Sequence, residues 1–482
     1  MTATFVPALP LQRNKPSEPR KEVFRDLLFL LMKRFLPRLL LALAVSCQKP
    51  ATYEDYISSV TVEPTENALR FKVEIGQKRE CTPVVEVRAE GSETWTAMPG
   101  RTAMFLYSET NYEARVRVGE LTGDPILFTS GSLPAETPAY TVEIDNGGPK
   151  EGYMLYAKEN APGFLCFTDM QGKVIWYERF EGEGVRCMHY DPSQGKIAVL
   201  AGHKDEEAST SMHRPRYGQH LYVIDLEGSR LSSLPTTAEF SEFPHHEAKL
   251  MPDGNILTVE ATIGYYDLSS EGGSSNADVW GDGYVILSPE GRRLASFDCL
   301  PALDLPNNMD WLNPVLYQYD LIHANSVSWD ENGDFYMTFH YIGEIWKING
   351  KTGKVAYRLG RHGNLNLDGE YATGGFHAVV PLAPDKFLVN NNGPKMGDPT
   401  NAQIYEVDPV AMTARRTMSI PSPKGYSSTN GGNVEILPDG KTILFNITQS
   451  RACVFTDMEG NLLKVITRAG TSYRAFYFER LY

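Results

Sequence analysis

Residues 245–259 read HHEAKLMPDGNILTV, and three later stretches repeat the plan: HANSVSWDENGDFYMTF at 323–339, HAVVPLAPDKFLV at 377–389 and GGNVEILPDGKTILF at 431–445. Each is a short apolar run, a polar turn (PDG, ENG or PD) and a second apolar run, the signal of a β-hairpin. His245 precedes Pro252 by 7 positions, as His377 precedes Pro384 and Gly431 precedes Pro438, while His323 reaches Glu331 in 8. The last three copies start 54 residues apart, and an insertion widens the first interval to 78. A period of about 40–50 residues points to a β-propeller, four strands per blade around a channel. The first strand of a blade lies against the axis, so residues in the same phase face the same channel. His245, His323 and His377 should therefore converge, in a chain with only 10 histidines. The fourth copy has Gly431 in their place.

Further hairpins number the blades. FLCFTDMQGKVIWYER, LYVIDLEGSRLSSL, YVILSPEGRRLASF, IWKINGKTGKVAYRLG, IYEVDPVAMTARRTM and CVFTDMEGNLLKVITR each pair two strands about a turn, which gives six blades. The terminal YRAFYFERLY should add a strand to the first blade and close the ring, removing exposed sheet edges. Before the repeats, YISSVTVEPTENALRFKVEI and TPVVEVRAEG alternate apolar and polar residues, and FLYSETNYEARVRV resembles the tyrosine turn and late strand of a fibronectin type III domain. The fold expected is all-β: a small N-terminal β-sandwich (fibronectin III/Ig-like) over 50–138 and a six-bladed propeller over 139–482, joined by the Pro- and Gly-rich SLPAETPAYTVEIDNGGPKEG.

The net charge of −14 leaves no basic stripe to neutralise phosphates, so nucleic acid is not expected as a partner. Residues 32–47, MKRFLPRLLLALAVSC, have the basic start, apolar middle and small-residue end of an export signal, too short to anchor by spanning a bilayer. Ala44-Val45-Ser46-Cys47 resembles a bacterial lipobox, which implies an exported lipoprotein held to a membrane by lipid on Cys47, in the periplasm or at the outer membrane. Residues before Met32 read as an upstream extension, with Met32 as the start. The alternative is an ordinary cleaved signal with an incidental cysteine. Cys81, Cys166, Cys187, Cys299 and Cys453 are scattered and read as free thiols, most of them buried.

GKT at 350–352 is not a nucleotide loop, because the Walker pattern needs Gly at 345, where Ile stands. His245, His246 and Glu247, or the three in-phase histidines, would suit a metal. The third positions of the repeats, Glu247, Asn325 and Asn433, suit a hydrogen-bonded ring equally well.

DLIHANSVSWDENGDFYMTFHYIGEIWKINGKTGKVAYRLG at 320–360 resembles the bacterial arylsulfotransferases in its His-x-Asn-Ser, its Ile-Trp-x-Ile strand and its Leu-Gly ending. GGFHAVVPLAPDKFLVNNNG, FPHHEAKLMPDGNIL and GYSSTNGGNVEILPDG resemble further segments of that family, so the likeness covers about residues 150–482. The resemblance implies transfer of a sulfuryl group from a phenolic sulfate ester to a phenolic acceptor through a sulfohistidine, with no nucleotide sulfate donor, no cofactor and no metal. It makes His377 the nucleophile and His323, Asn325 and His245 the other catalytic residues, His245 preferred over His246 for its phase. His246, His340, Arg361 and Tyr426 are candidates for substrate binding. The family places an Arg where this chain has His340, so a protonated His340 or the nearby Arg361 would have to supply that charge. As a channel residue, His377 should be exposed and carry little packing. Rival readings are a non-catalytic surface propeller that binds glycan or protein, and a metal-dependent hydrolase or lyase.

Overall fold

The computed structural model describes residues 50–202, 220–235, 244–305, 307–309, 312, 320–369, 374–393 and 398–482. The export signal and Cys47 lie outside these residues. Residues 50–58 and 77–81 group separately; there Lys78 Nζ donates to the Glu54 carbonyl at 2.8 Å. Residues 59–76 and 82–482 form the second unit, which holds both the remaining early strands and the repeats.

Among the described residues the repeats form six sheets, each with a core of four antiparallel strands, a β-propeller; sheet five also carries the short strand Asn366–Leu367, parallel to its outer strand Thr413–Pro421. Sheet one takes Tyr153–Lys158, Gly163–Asp169 and Val174–Phe180, and its fourth strand is the C-terminal Ala475–Phe478. That strand pairs Tyr153 with Phe478 and Tyr156 with Ala475, so the ends of the repeat region close one sheet. Sheets two to five open on Gly184–Asp191, Pro244–Leu250, Ala324–Trp329 and Phe376–Ala383. Sheet six opens on Val434–Ile436 and gains a fifth strand, Tyr140–Asp145, on its outer edge. The six hairpins read from the sequence supply the outer strands of the six sheets.

Alternation along each strand sends apolar side chains into the gaps between sheets. Ala248, Ile256 and Val285 of sheet three meet Leu200 and Val223 of sheet two. Leu444, Phe455 and Ile466 of sheet six meet Met154 and Tyr156 of sheet one, which closes the ring. Four of the five described cysteines are buried and all five are free.

The early strands make two sheets, Ile57–Pro64 with Phe71–Gln77 and Thr102–Ala103, and a second built on Val84–Ala89 and Asn111–Val118. The Tyr112 hydroxyl accepts the Tyr107 amide at 2.7 Å, the tyrosine corner expected from FLYSETNYEARVRV. Arg70 donates from Nη2 to Glu178 Oε2 at 2.9 Å and from Nη1 to the Glu227 carbonyl at 3.0 Å, tying these strands to sheets one and two.

Candidate active site

Innermost strands of sheets two to five carry β-bulges near their starts. The register slips between Val185 and Cys187, His245 and Ala248, Ala324 and Ser326, and His377 and Val380. A bulge inserts a residue and re-aims its neighbours. His246 and His323 take φ of 62° and 55°, and Ala378, just after His377, takes 49°. These left-handed turns tip the imidazoles of three sheets into one cavity.

That cavity, of about 400 Å³, is lined by His246, His323, His377, Gly431, Arg451 and Tyr473, with other residues of the same loops. Ring centroids trace a continuous cluster: His246 to His323 is 4.9 Å, His323 to His340 5.9 Å and His340 to His377 4.8 Å. Tyr473 lies 5.3 Å from His246 and 6.4 Å from His377.

Neighbours set the tautomers of His377 and His323. His377 Nδ1 donates to the Gly375 carbonyl at 3.1 Å, and its Nε2 accepts the Gly431 amide at 3.0 Å. Asp320 Oδ2 lies 2.6 Å from His323 Nδ1, which places the proton there and leaves Nε2 as a lone pair. Asp282 Oδ1 stands 3.1 Å from His245 Nε2, and His245 Nδ1 is 2.5 Å from His246 Nδ1. His245 and His246 thus share one proton between their Nδ1 atoms. Burial is the first cause holding His377 and His246 well below the ordinary imidazole value; neighbouring imidazoles and the Arg474 guanidinium act in the same direction. Burial holds His340 down to about 4. Among the described residues, no group of three His, Cys, Asp or Glu side chains is arranged to hold a metal ion.

The arylsulfotransferase (ASST) family model matches residues 142–465. The chain belongs to this family. No curated protein matches the chain in sequence. In shape it is similar to a protein of unknown function from Bacteroides caccae, at 11% identity and TM-score 0.42, covering 68% of this chain and 100% of that one. It is also similar to the β-propeller domain of Cps50 (Swd1) from Myceliophteria thermophila (10%, 0.41, covering 69% and 88%). A third likeness is to a periplasmic gluconolactonase from Pseudomonas aeruginosa (14%, 0.39, covering 68% and 98%).

This arylsulfotransferase cavity brings together His246, His323 and His377, with His340 behind them. His245 does not line it, because the bulge that turns His246 inward turns His245 onto Asp282. Asn325 is fully buried beneath the cavity; its amide donates to the Phe376 carbonyl at 2.9 Å and so fixes the residue before His377. Arg361 is exposed and does not line the cavity, and Tyr426 packs on the core between sheets five and six. Neither Arg361 nor the neutral His340 supplies the cation that the family's Arg would bring. His377 is 2% exposed, not the open channel residue expected.

Two residues escaped the sequence reading. Tyr473 forms part of the wall, and Arg474 lies on the axis below it, its guanidinium 4.2 Å from the Tyr473 ring. Arg474 donates from Nε and Nη2 to Glu247 Oε1 at 3.0 and 2.7 Å, and on to the carbonyls of Asn325 and Gly432 at 2.9 and 2.7 Å. The Asn433 amide donates to the Ala475 carbonyl at 2.7 Å. The third-position residues do not bond one another in a ring: Glu247 and the Asn325 carbonyl meet on Arg474, and Asn433 bonds Ala475 beside it.

Buried neutral histidines make the fold acid-sensitive. His340 and His189 are held at about 4, both mainly by burial. Below pH 6.5 the unfolded chain protonates these imidazoles while the folded protein does not, so stability falls with pH through that window. Each contributes a loss of about 2 kcal/mol between pH 7 and pH 5, and His246 and His377 act with the same sign. Glu435, raised by burial to about 8, acts oppositely and offsets about one histidine. Denaturant unfolding at the two pH values should show a net loss of at least about 2 kcal/mol; equal midpoints would contradict the neutral cluster.

Proposed function

We propose that the protein transfers a sulfuryl group from a phenolic sulfate ester to a phenolic acceptor through a sulfohistidine at His377, with no nucleotide sulfate donor. The observation that carries this reading is a buried, neutral His377 anchored through Nδ1, with Nε2 at the wall of a cavity that also holds the Asp320–His323 pair. The Nε2 lone pair attacks sulfur, the S–O bond to the aryl group breaks, and the phenolate leaves with the electron pair. The Gly431 amide then loses its imidazole acceptor and turns to a sulfuryl oxygen. In the second half, His323 Nε2 takes the proton of the acceptor phenol, whose oxygen attacks sulfur, and the N–S electron pair returns to His377. Asp320 orients His323 and stabilises its charged form.

His323 and His377 act through Nε2 as acceptors, so the sulfuryl oxygens need other donors. The Tyr473 hydroxyl is buried and, among the described residues, has no hydrogen-bond partner. Burial holds it protonated at every working pH. It takes the place of the absent Arg as a donor, with Arg451 at the cavity rim. Tyr473→Phe should lower kcat by on the order of 10²-fold, with KM changed far less. An unchanged kcat would remove the hydroxyl from the site.

Incubation with para-nitrophenyl sulfate tests the whole reading. Nitrophenol should appear with phenol present and chelator added, and with no nucleotide sulfate. Release that needs a metal, or none at all, would support the rival readings instead. Export and lipid on Cys47 belong to the same proposal. Mass spectrometry of protein from its native host should find a mature chain starting at a lipidated Cys47; an unmodified Cys47 or another start would contradict it.

A further inference from the structure

The histidine cavity uses only one end of the propeller axis. Its residues sit at or just before the starts of the innermost strands, or on loops beside them. The C-terminal halves of the same six strands surround a second cavity of about 530 Å³. Gly184–Asp191 contributes His189, Pro244–Leu250 contributes Lys249, and Ala324–Trp329 contributes Trp329. Leu382, Ile436 and Phe476 come from the other three. The volume is that of a small-molecule site, and the wall is mostly apolar with few polar groups, the usual make-up of such sites. Val380 and Leu382 are exposed at its mouth.

The polar groups decide what it would hold. Lys249 donates to the Val327 carbonyl at 2.7 Å and stands 3.6 Å from Glu247 Oε2. An ammonium has three N–H donors, so one remains for the cavity. Glu247 is a single carboxylate shared between Lys249 on this side and Arg474 on the other, which leaves one positive charge in excess. Glu435 adds no negative charge at neutral pH, since burial raises it to about 8, and His189 is neutral. An apolar chamber with a net cation at its floor is complementary to an apolar body bearing an acidic head.

We propose that this second mouth binds an amphipathic organic anion, with the acidic head at Lys249 and the apolar body against Trp329, Leu382, Ile436 and Phe476. The site is separate from the histidine cavity, and the proposal does not depend on sulfuryl transfer.

Anilinonaphthalene sulfonate is a suitable probe, because its sulfonate is joined through carbon and cannot be transferred. The full chain is titrated with it and, in parallel, with uncharged phenylnaphthylamine, by probe fluorescence and energy transfer from tryptophan. The sulfonate should bind saturably. Lys249→Met should weaken it about tenfold while phenylnaphthylamine changes by less than about threefold. Leu382→Glu places a like charge at the exposed mouth and should also cost the sulfonate about tenfold. His377→Ala should bind it as wild type does, which separates this mouth from the histidine cavity. Absence of saturable binding, or equal sulfonate affinity in wild type and Leu382→Glu, would overturn the proposal. Leu382 is exposed, so that variant decides the matter even if Lys249→Met does not fold.

Discussion

His377→Ala should lower sulfuryl transfer from para-nitrophenyl sulfate to phenol by about 10⁴-fold or more, because it removes the atom that bonds to sulfur. His323→Ala leaves that atom in place and should lose less, on the order of 10²–10³-fold. The fold should survive, at a cost. His377 is 2% exposed and accepts the Gly431 amide, so the truncation leaves a small void and an unpaired N–H. Such a loss costs about 1–3 kcal/mol. His377→Gln restores an acceptor for that amide and should recover part of the stability without the activity. Steady-state rates and denaturant midpoints on the three variants separate these effects. A His377→Ala enzyme within about tenfold of wild type, about 1.4 kcal/mol of barrier, would contradict the assignment.

The second large effect concerns Arg474→Met. Arg474 and Glu247 are both almost fully buried, and the guanidinium also satisfies two backbone carbonyls from different sheets. Removing one partner of a buried pair leaves the other charge uncompensated, at about 3–5 kcal/mol. Arg474→Met should therefore lose more stability than His377→Ala. Glu247→Gln added to it should recover part of the loss, since the stranded carboxylate is then gone. Lys249, 3.6 Å from Glu247 Oε2, keeps that recovery incomplete. A midpoint unchanged in Arg474→Met would mean that the axial ion pair adds nothing to the fold.

Much of this was legible in the strings at 245, 323, 377 and 431. Period-two alternation about fixed turns places strands in sheets, and the shared count to the turn places two of the three in-phase histidines, His323 and His377, on one cavity. The closing strand was readable because YRAFYFERLY has apolar residues and no partner nearby in sequence. The added Tyr140–Asp145 strand was not, since its alternation fits a linker-side edge equally well. Between His245 and His246, counting positions fails at a bulge: His246 and Glu247 are both extra against the partner strand, which changes the side chain that faces inward, and hydropathy carries no mark of it. Tyr473 and Arg474 stayed hidden for another reason. Each acts across the axis on residues more than two hundred positions earlier or in another sheet, as Arg474 does on Glu247. No local pattern reports such a contact, although the unpaired acid among Glu247, Asn325 and Asn433 called for a cation.

The most direct measurement is peptide mapping of enzyme mixed with para-nitrophenyl sulfate, without acceptor, and quenched. A sulfuryl adduct on His377 that disappears when phenol is added is the predicted result. An adduct on another residue, or rapid turnover with no protein adduct at any time, would contradict the covalent route through His377.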